Sequence, residues 1–156
     1  MVAIGVAAGF ALRWVTHPNV FAEYGSGVSG PASVGQAWTH FTGLDAGVEV
    51  TIVDVVPRVT MNTADADIRL RLCHSSGRNE GVGPVPGSAE RACSHLTGLQ
   101  DQTVTLMPTE AQVIAIVTPR RPGRVHIAGF TIRYRDGARR GSEHSGLEMR
   151  LRVSPG

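Results

Sequence analysis

Lysine is absent from this chain of 156 residues, and all fifteen basic residues are arginine. A G+C-rich coding sequence, which favours arginine and alanine codons, accounts for that imbalance more simply than the bidentate geometry of guanidinium does. Aromatic residues are scarce, at 5%, so no row of rings is available on which single-stranded bases could stack. Excess charge is scarce too: the net charge is +2, with acids interspersed among the bases, which gives no ground for a nucleic-acid partner. Motifs of catalysis are missing. No G-x-S-x-G, S-x-x-K, G-x-x-x-x-G-K-[ST] or strand-to-helix G-x-G-x-x-G occurs, and no nucleophile stands beside a base in a recognisable order. An envelope hydrolase is therefore the weakest of the functional readings. No internal repeat with a period of about 20 to 50 residues is present either.

What the chain has in quantity is turn residues. Nineteen glycines and nine prolines point to many short elements, hence to β structure. With 42% apolar residues there is room for one domain, whose core buries about two thirds of the unfolded chain's surface. The first twelve residues, Met1 to Leu12, carry no charge. As a helix they rise only about 18 Å against a hydrocarbon thickness of about 30 Å, so alone they do not cross a bilayer. No basic residue precedes them, as a secretory signal requires. Arg13 and Trp14 follow instead, residue types of a membrane interface. Residues 1–16 are therefore read as a truncated membrane anchor, the outer half of a single transmembrane helix beginning upstream. The alternative is an apolar helix or strand packed on the domain. Residues 17–46, rich in Gly, Ser and Pro and without periodicity, read as a linker and first edge, and 47–156 as the domain. On that division a chain beginning at Gly35 keeps its cooperative melt.

Period two then governs the pattern. Val48, Val50 and Ile52 alternate with Glu49, Thr51 and Val53 until Pro57 stops the run. In "ADIRLRLC" Ile68, Leu70 and Leu72 share one face and Asp67, Arg69 and Arg71 the other. "QTVTLMP" and "AQVIAIVTP" give two more strands, the second apolar on both faces as a central strand is. "RVHIAGFTIRYRDG" breaks near Gly129 and turns Phe130, Ile132 and Tyr134 inward, while "GLEMRLRVS" does the same with Leu147, Met149, Leu151 and Val153. The expected fold is all-β, an antiparallel Ig-like or fibronectin-like sandwich of about seven strands.

Cys73 and Cys93 enclose a Gly-, Ser- and Pro-rich excursion that a disulfide would pin, at roughly 3 kcal/mol in the chain-entropy model. That pairing goes with an extracytoplasmic compartment. The alternative is a metal or small-ligand module built from the same loop with His74 and His95, but adjacent strand residues point to opposite faces, a poor geometry for zinc. The six histidines, His17, His40, His74, His95, His126 and His144, show no metal-ligand spacing. Asp65 and Asp67 share a face at a strand start and lack the third carboxylate that calcium wants. No metal or cofactor is expected.

One surface pattern is stronger. Arg69 with Arg71, Arg133 with Arg135, and Arg150 with Arg152 are three i, i+2 pairs on outward strand positions. On neighbouring strands they would form a basic interaction face for anionic lipid or an acidic partner, at about 1 kcal/mol per residue near a lipid surface. A hairpin around Asp136 to Gly146 would set Arg133 and Arg135 across from Arg150 and Arg152. The plainer reading is a solvated face balanced by Asp67, Asp136 and Glu148.

"HPNVFAEYGSG", "PRVTMNTADADIRLRLC", "VTPRRPGRVHIAGFTIRYRDGARRGSEHSG" and "LRVSP" resemble, in layout and phrase, single-pass membrane proteins of actinobacteria. The resemblance covers most of the chain and implies one transmembrane helix followed by an extracytoplasmic β domain. It brings no activity and no site residue. The expected function is a non-enzymatic, membrane-anchored sandwich that meets a protein or cell-envelope partner.

Overall fold

A computed structural model describes residues 20–22, 26–75, 84–86 and 89–156. The chain forms strands β1 (Gly27–Ser33), β2 (Trp38–Phe41), β3 (Glu49–Asn62), β4 (Asp67–His74) and β5 (Pro84–Pro86), a one-turn helix α1 (Ala89–Ala92), then β6 (His95–Thr97), β7 (Thr103–Thr105), β8 (Ala111–Thr118), β9 (Gly123–Asp136), β10 (Arg139–Ser145) and β11 (Glu148–Ser154). They make two sheets, one ordered β1-β11-β9-β3-β7 with β10 also on β9, the other β5-β2-β8-β4-β6. The expected all-β sandwich is present. Its frame has the immunoglobulin neighbour order: β2, β8 and β4 stand as B, E and D, and β11, β9 and β3 as G, F and C. The first strand, β1, lies in the larger sheet and runs parallel to the last. Four short strands, β5, β6, β7 and β10, are additions to the seven-strand frame.

Alternation builds the core as the sequence implies. Val125, Ile127, Phe130, Ile132 and Tyr134 of β9 and Met149, Leu151 and Val153 of β11 are all buried, facing Leu72 of β4 and Val113, Ala115 and Val117 of β8. Inward positions on β9 change parity between Ile127 and Phe130. The partner strand absorbs the slip: Ser145 pairs with Phe130 and Met149 with Ile127, so three residues oppose two. Gly146 makes this bulge possible. Its φ is +91°, and a Cβ there would stand 2.7 Å from the Thr42 carbonyl oxygen. The effect is that β10 and β11 are two halves of one long strand bent at Gly146.

β8 is apolar on both faces because both are covered. Ile114 on its outer side packs with Phe41, Ala89 and the Cys73 and Cys93 sulfurs into a second small core, flanked by Leu96 and Ile116. The disulfide, with Cα atoms 5.3 Å apart, joins the end of β4 to the end of α1 beside this small core.

Two expectations need correction. Residues 17–46 supply β1 and β2 to the sandwich, and Trp38, Phe41 and Leu44 are buried; the domain starts well before residue 47. Pro57 does not end its strand, since β3 continues to Asn62 through register shifts on either side of Val59, which a proline tolerates at a bulge. The proposed anchor, 1–16, lies outside the described residues, among which no helix is long and apolar enough to cross a membrane.

Residues 20–22, ahead of β1, are tied to β9 and β10. Glu143 on β10 accepts hydrogen bonds from the Val20 and Phe21 amides at 3.1 and 3.2 Å and from the Tyr134 hydroxyl. The Ser145 hydroxyl donates to the Ala22 carbonyl at 2.7 Å. Phe21 is buried edge-on against Tyr134, ring centroids 5.0 Å apart. Burial, then the bond to Glu143, pushes the Tyr134 hydroxyl well above its ordinary range.

His40 shares the inward face of β2 with Trp38 and is fully buried. Neither ring nitrogen has a hydrogen-bond partner. Burial pushes the imidazole down from 6.5 to about 4, the larger of two causes, with the Leu147 backbone acting in the opposite direction. The folded state thus holds His40 neutral where the unfolded chain binds a proton. Stability is complete above pH 6.5. It is expected to fall by about 3 kcal/mol as pH drops toward 4. Urea midpoints at about pH 7.5 and about pH 4.5 measure this, and His40→Gln should remove most of the difference. The His74 imidazole, lowered first by burial and then by the charge of His95, adds in the same direction.

Candidate functional site

All six arginines of the expected basic face point to solvent, as period two requires. They do not form one band. Arg69 and Arg71 lie on β4 in the smaller sheet, whose outer face is opposite that of the larger sheet carrying Arg133, Arg135, Arg150 and Arg152. The expected hairpin loop is itself the strand β10 after a two-residue turn at Gly137 and Ala138, with Asp136 and Arg139 paired across it. Arg133 therefore faces Ser142 and Arg135 faces Arg140, while Arg150 faces His126 and Arg152 faces Arg124. The sequence hid this strand because its inward side carries Gly141, Glu143 and Ser145, which serve the N-terminal tie and show no apolar alternation.

Most of the six are neutralised locally. Arg133 pairs with Asp54 at 2.6 Å, Arg135 with Asp101 at 3.3 Å, Arg150 with Glu148 at 2.6 Å and Arg69 with Asp67 at 3.2 Å. Such exposed pairs stabilise little, about 0–1 kcal/mol each. Their effect on the surface potential is larger, since they cancel charge where it would otherwise attract a partner.

Among the described residues Arg71 on β4 stands alone, whereas one end of the larger sheet's outer face gathers several arginines. Ser29, Gly30 and Pro31 of β1, Arg150, Leu151 and Arg152 of β11 and Arg124 of β9 line an open groove of about 460 Å³. Arg124 and Arg152 are directly opposed cross-strand neighbours, and neither has an acidic partner among the described residues. Like charges so placed are unfavourable without relief. A second groove, about 370 Å³, gathers Arg133, Arg135 and Arg140 at the other end of β9, but Asp101 lines it and Asp54 adjoins it. Sequence reasoning missed Arg124. It has no i+2 arginine, and its signal was the shared outward parity with His126.

Beside the first groove runs a chain of polar contacts. The Thr60 hydroxyl meets His126 Nδ1 at 2.7 Å, His126 Nε2 meets Glu148 Oε1, and Arg150 Nε donates to the same oxygen at 2.8 Å. The bond to His126, and then Arg150, holds the Glu148 carboxyl below the usual range. Hydroxyl, imidazole and carboxylate in this order are the parts of an activated nucleophile. Here they spread over three strands on an open face, and none of Thr60, His126 and Glu148 lines either groove. What the arrangement does is hold the Arg150 guanidinium at the groove's rim.

The cysteine and histidine cluster offers less. The disulfide takes both thiolates from any ligand set. His74 and His95 face each other across β4 and β6 with rings stacked at 4.0 Å and 7° from parallel. A metal bonds in the plane of an imidazole, and two parallel planes do not converge on one ion. His74 Nε2 meets the Thr97 hydroxyl and His95 Nδ1 the Ser94 hydroxyl. No group of three or more ligating side chains occurs among the described residues. Asp65 sits in the turn before β4 with φ +49°, apart from any such group.

Compared with protein-family models and with curated proteins, the chain matches none.

Proposed function

We propose that this protein is a non-enzymatic, extracytoplasmic β-sandwich, held at the membrane by residues 1–16, that docks on an anionic protein or cell-envelope surface. The observation that carries the reading is the directly opposed pair Arg124 and Arg152 at one end of the larger sheet, neither with a carboxylate among the described residues, where Arg133, Arg135 and Arg150 each have one. A fold gains nothing from such a pair, whereas an arriving anion relieves it. The disulfide supports a compartment outside the cytoplasm. The open setting of the Thr60, His126 and Glu148 chain supports binding over chemistry, since water competes for each group.

Vesicles of phosphatidylcholine with phosphatidylglycerol are expected to bind the protein in low salt and to release it near about 0.5 M salt, where the screening length is about 4 Å. Arg124→Gln/Arg152→Gln should abolish that binding, while Arg133→Gln/Arg135→Gln, already paired with aspartates, should leave it nearly unchanged. Equal binding by parent and Arg124→Gln/Arg152→Gln would reject the docking face.

A further inference from the structure

We infer that the groove between β1 and β11 is a site for one phosphate monoester, bound as its dianion by Arg124, Arg150 and Arg152. This deepens the docking reading and rests on it for the face, but it commits to a ligand that the broader proposal does not.

The argument is charge, shape and donor geometry. Three guanidinium groups line the groove and one carboxylate, Glu148, touches one of them from outside it. The balance is two positive charges. A phosphate monoester carries about −1.5 to −2 at neutral pH, and a diester only one charge. Guanidinium offers planar forks that match phosphate oxygens two at a time. Arg124 and Arg152 stand opposite each other on adjacent strands, so one anion between them engages both and removes their repulsion. Arg150 lies two residues before Arg152 on the same face and is fixed by Glu148 through Nε and a terminal nitrogen. That leaves its other fork edge for a ligand.

The third wall supplies room. Ser29 is the register partner of Arg150 and Pro31 of Arg152, and both are exposed. A small hydroxyl and a compact ring leave the anion uncrowded, and the Ser29 hydroxyl is one further donor. The second groove has less of this chemistry, because Asp54 and Asp101 occupy Arg133 and Arg135 and leave only Arg140 of its three arginines without an acidic partner among the described residues.

The probes are methyl phosphate, a dianion, and dimethyl phosphate, a monoanion, titrated at one fixed pH by calorimetry into the whole protein. Methyl phosphate is expected to bind one to one and about tenfold or more tighter than dimethyl phosphate. It should also raise the thermal midpoint of the parent, as any ligand selective for the folded state does. Arg124→Gln/Arg152→Gln should weaken methyl phosphate by about tenfold or more, and Arg133→Gln/Arg135→Gln by less than about twofold. Loss of an exposed, repelling pair leaves the variant folded, which its own midpoint verifies. Vesicles carrying phosphatidic acid, a monoester, compared with phosphatidylglycerol, a diester, separate a lipid source from a soluble one. Preference for phosphatidic acid supports the lipid, and binding of methyl phosphate alone supports the soluble ester. Equal affinity for methyl and dimethyl phosphate, or no loss in Arg124→Gln/Arg152→Gln, would overturn the site. Vesicle binding without methyl phosphate binding would overturn it while leaving the docking face intact, and failure of both probes would end both.

Discussion

A chain that begins at Gly35 is expected to lose its cooperative thermal transition or to melt more than about 10 °C below the whole protein. The reason lies in what that truncation removes. Phe21, buried against Tyr134, is a core aromatic whose loss costs about 3–5 kcal/mol on its own. With it go the Val20 and Phe21 amides, leaving the Glu143 carboxylate part-buried without these donors. Strand β1 goes as well, seven residues paired in parallel with β11 from Gly27 to Ser33, and β11 becomes an open edge. Set against a total stability of about 5–15 kcal/mol, these losses are decisive. At about 2–4 °C per kcal/mol for a domain of this size, the Phe21 contribution alone reaches the stated shift. Circular dichroism melts of the two chains measure it. A midpoint unchanged by the truncation would mean that the β1 ladder and the Glu143 tie contribute nothing to the folded state.

Cys73→Ala/Cys93→Ala should cost about 3 kcal/mol, read as a lower urea midpoint with a steeper slope, since the denatured chain without the cross-link is more expanded. The loop it opens spans a sequence separation of 20 residues. Entropy of the unfolded chain accounts for that figure. A further effect is local: without the staple Ala89 and position 93 are no longer fixed against Phe41 and Ile114, so the outer core of the smaller sheet becomes the first part to open. Hydrogen exchange at β2 and β8 should therefore rise more than at β9 and β11. Thiol titration of denatured, unreduced protein should find no free thiol. Two thiols there would remove the bond and both effects with it.

The strands that sequence made legible are those whose inward face is uniformly apolar. β9, β11, β4 and β8 each show it, and each lies where its pattern implies, with β8 central and covered on both sides. β1, with the sequence GVSGPAS, and β10, with RRGSEHS, do not. Their inward positions are filled by glycine, by small residues or by Glu143, whose backbone-amide partners lie 123 and 122 positions away in the chain. β2 is four residues long, too short for a period to declare itself. The arginine face shows a different limit. Parity fixes which way each side chain points, but which sheet a strand joins depends on long-range pairing. Arg69 and Arg71 thus fell on the opposite side from their supposed partners, and Arg124 took a place beside Arg152 that no local spacing marks.

Beyond Ile52, β3 has β9 on one side and no strand on the other among the described residues. Val56, Val59 and Met61 are 50%, 41% and 42% exposed along this stretch. A regular strand of that composition would be a template on which a second copy could extend the sheet, and a third after it. Three irregularities interrupt the template. Pro57 has no amide hydrogen to give, the register slips on both sides of Val59, and Arg58 places a charge in the middle. A substitution that made β3 more ideal, Pro57→Val for example, is therefore expected to favour edge-to-edge pairing between copies of the chain.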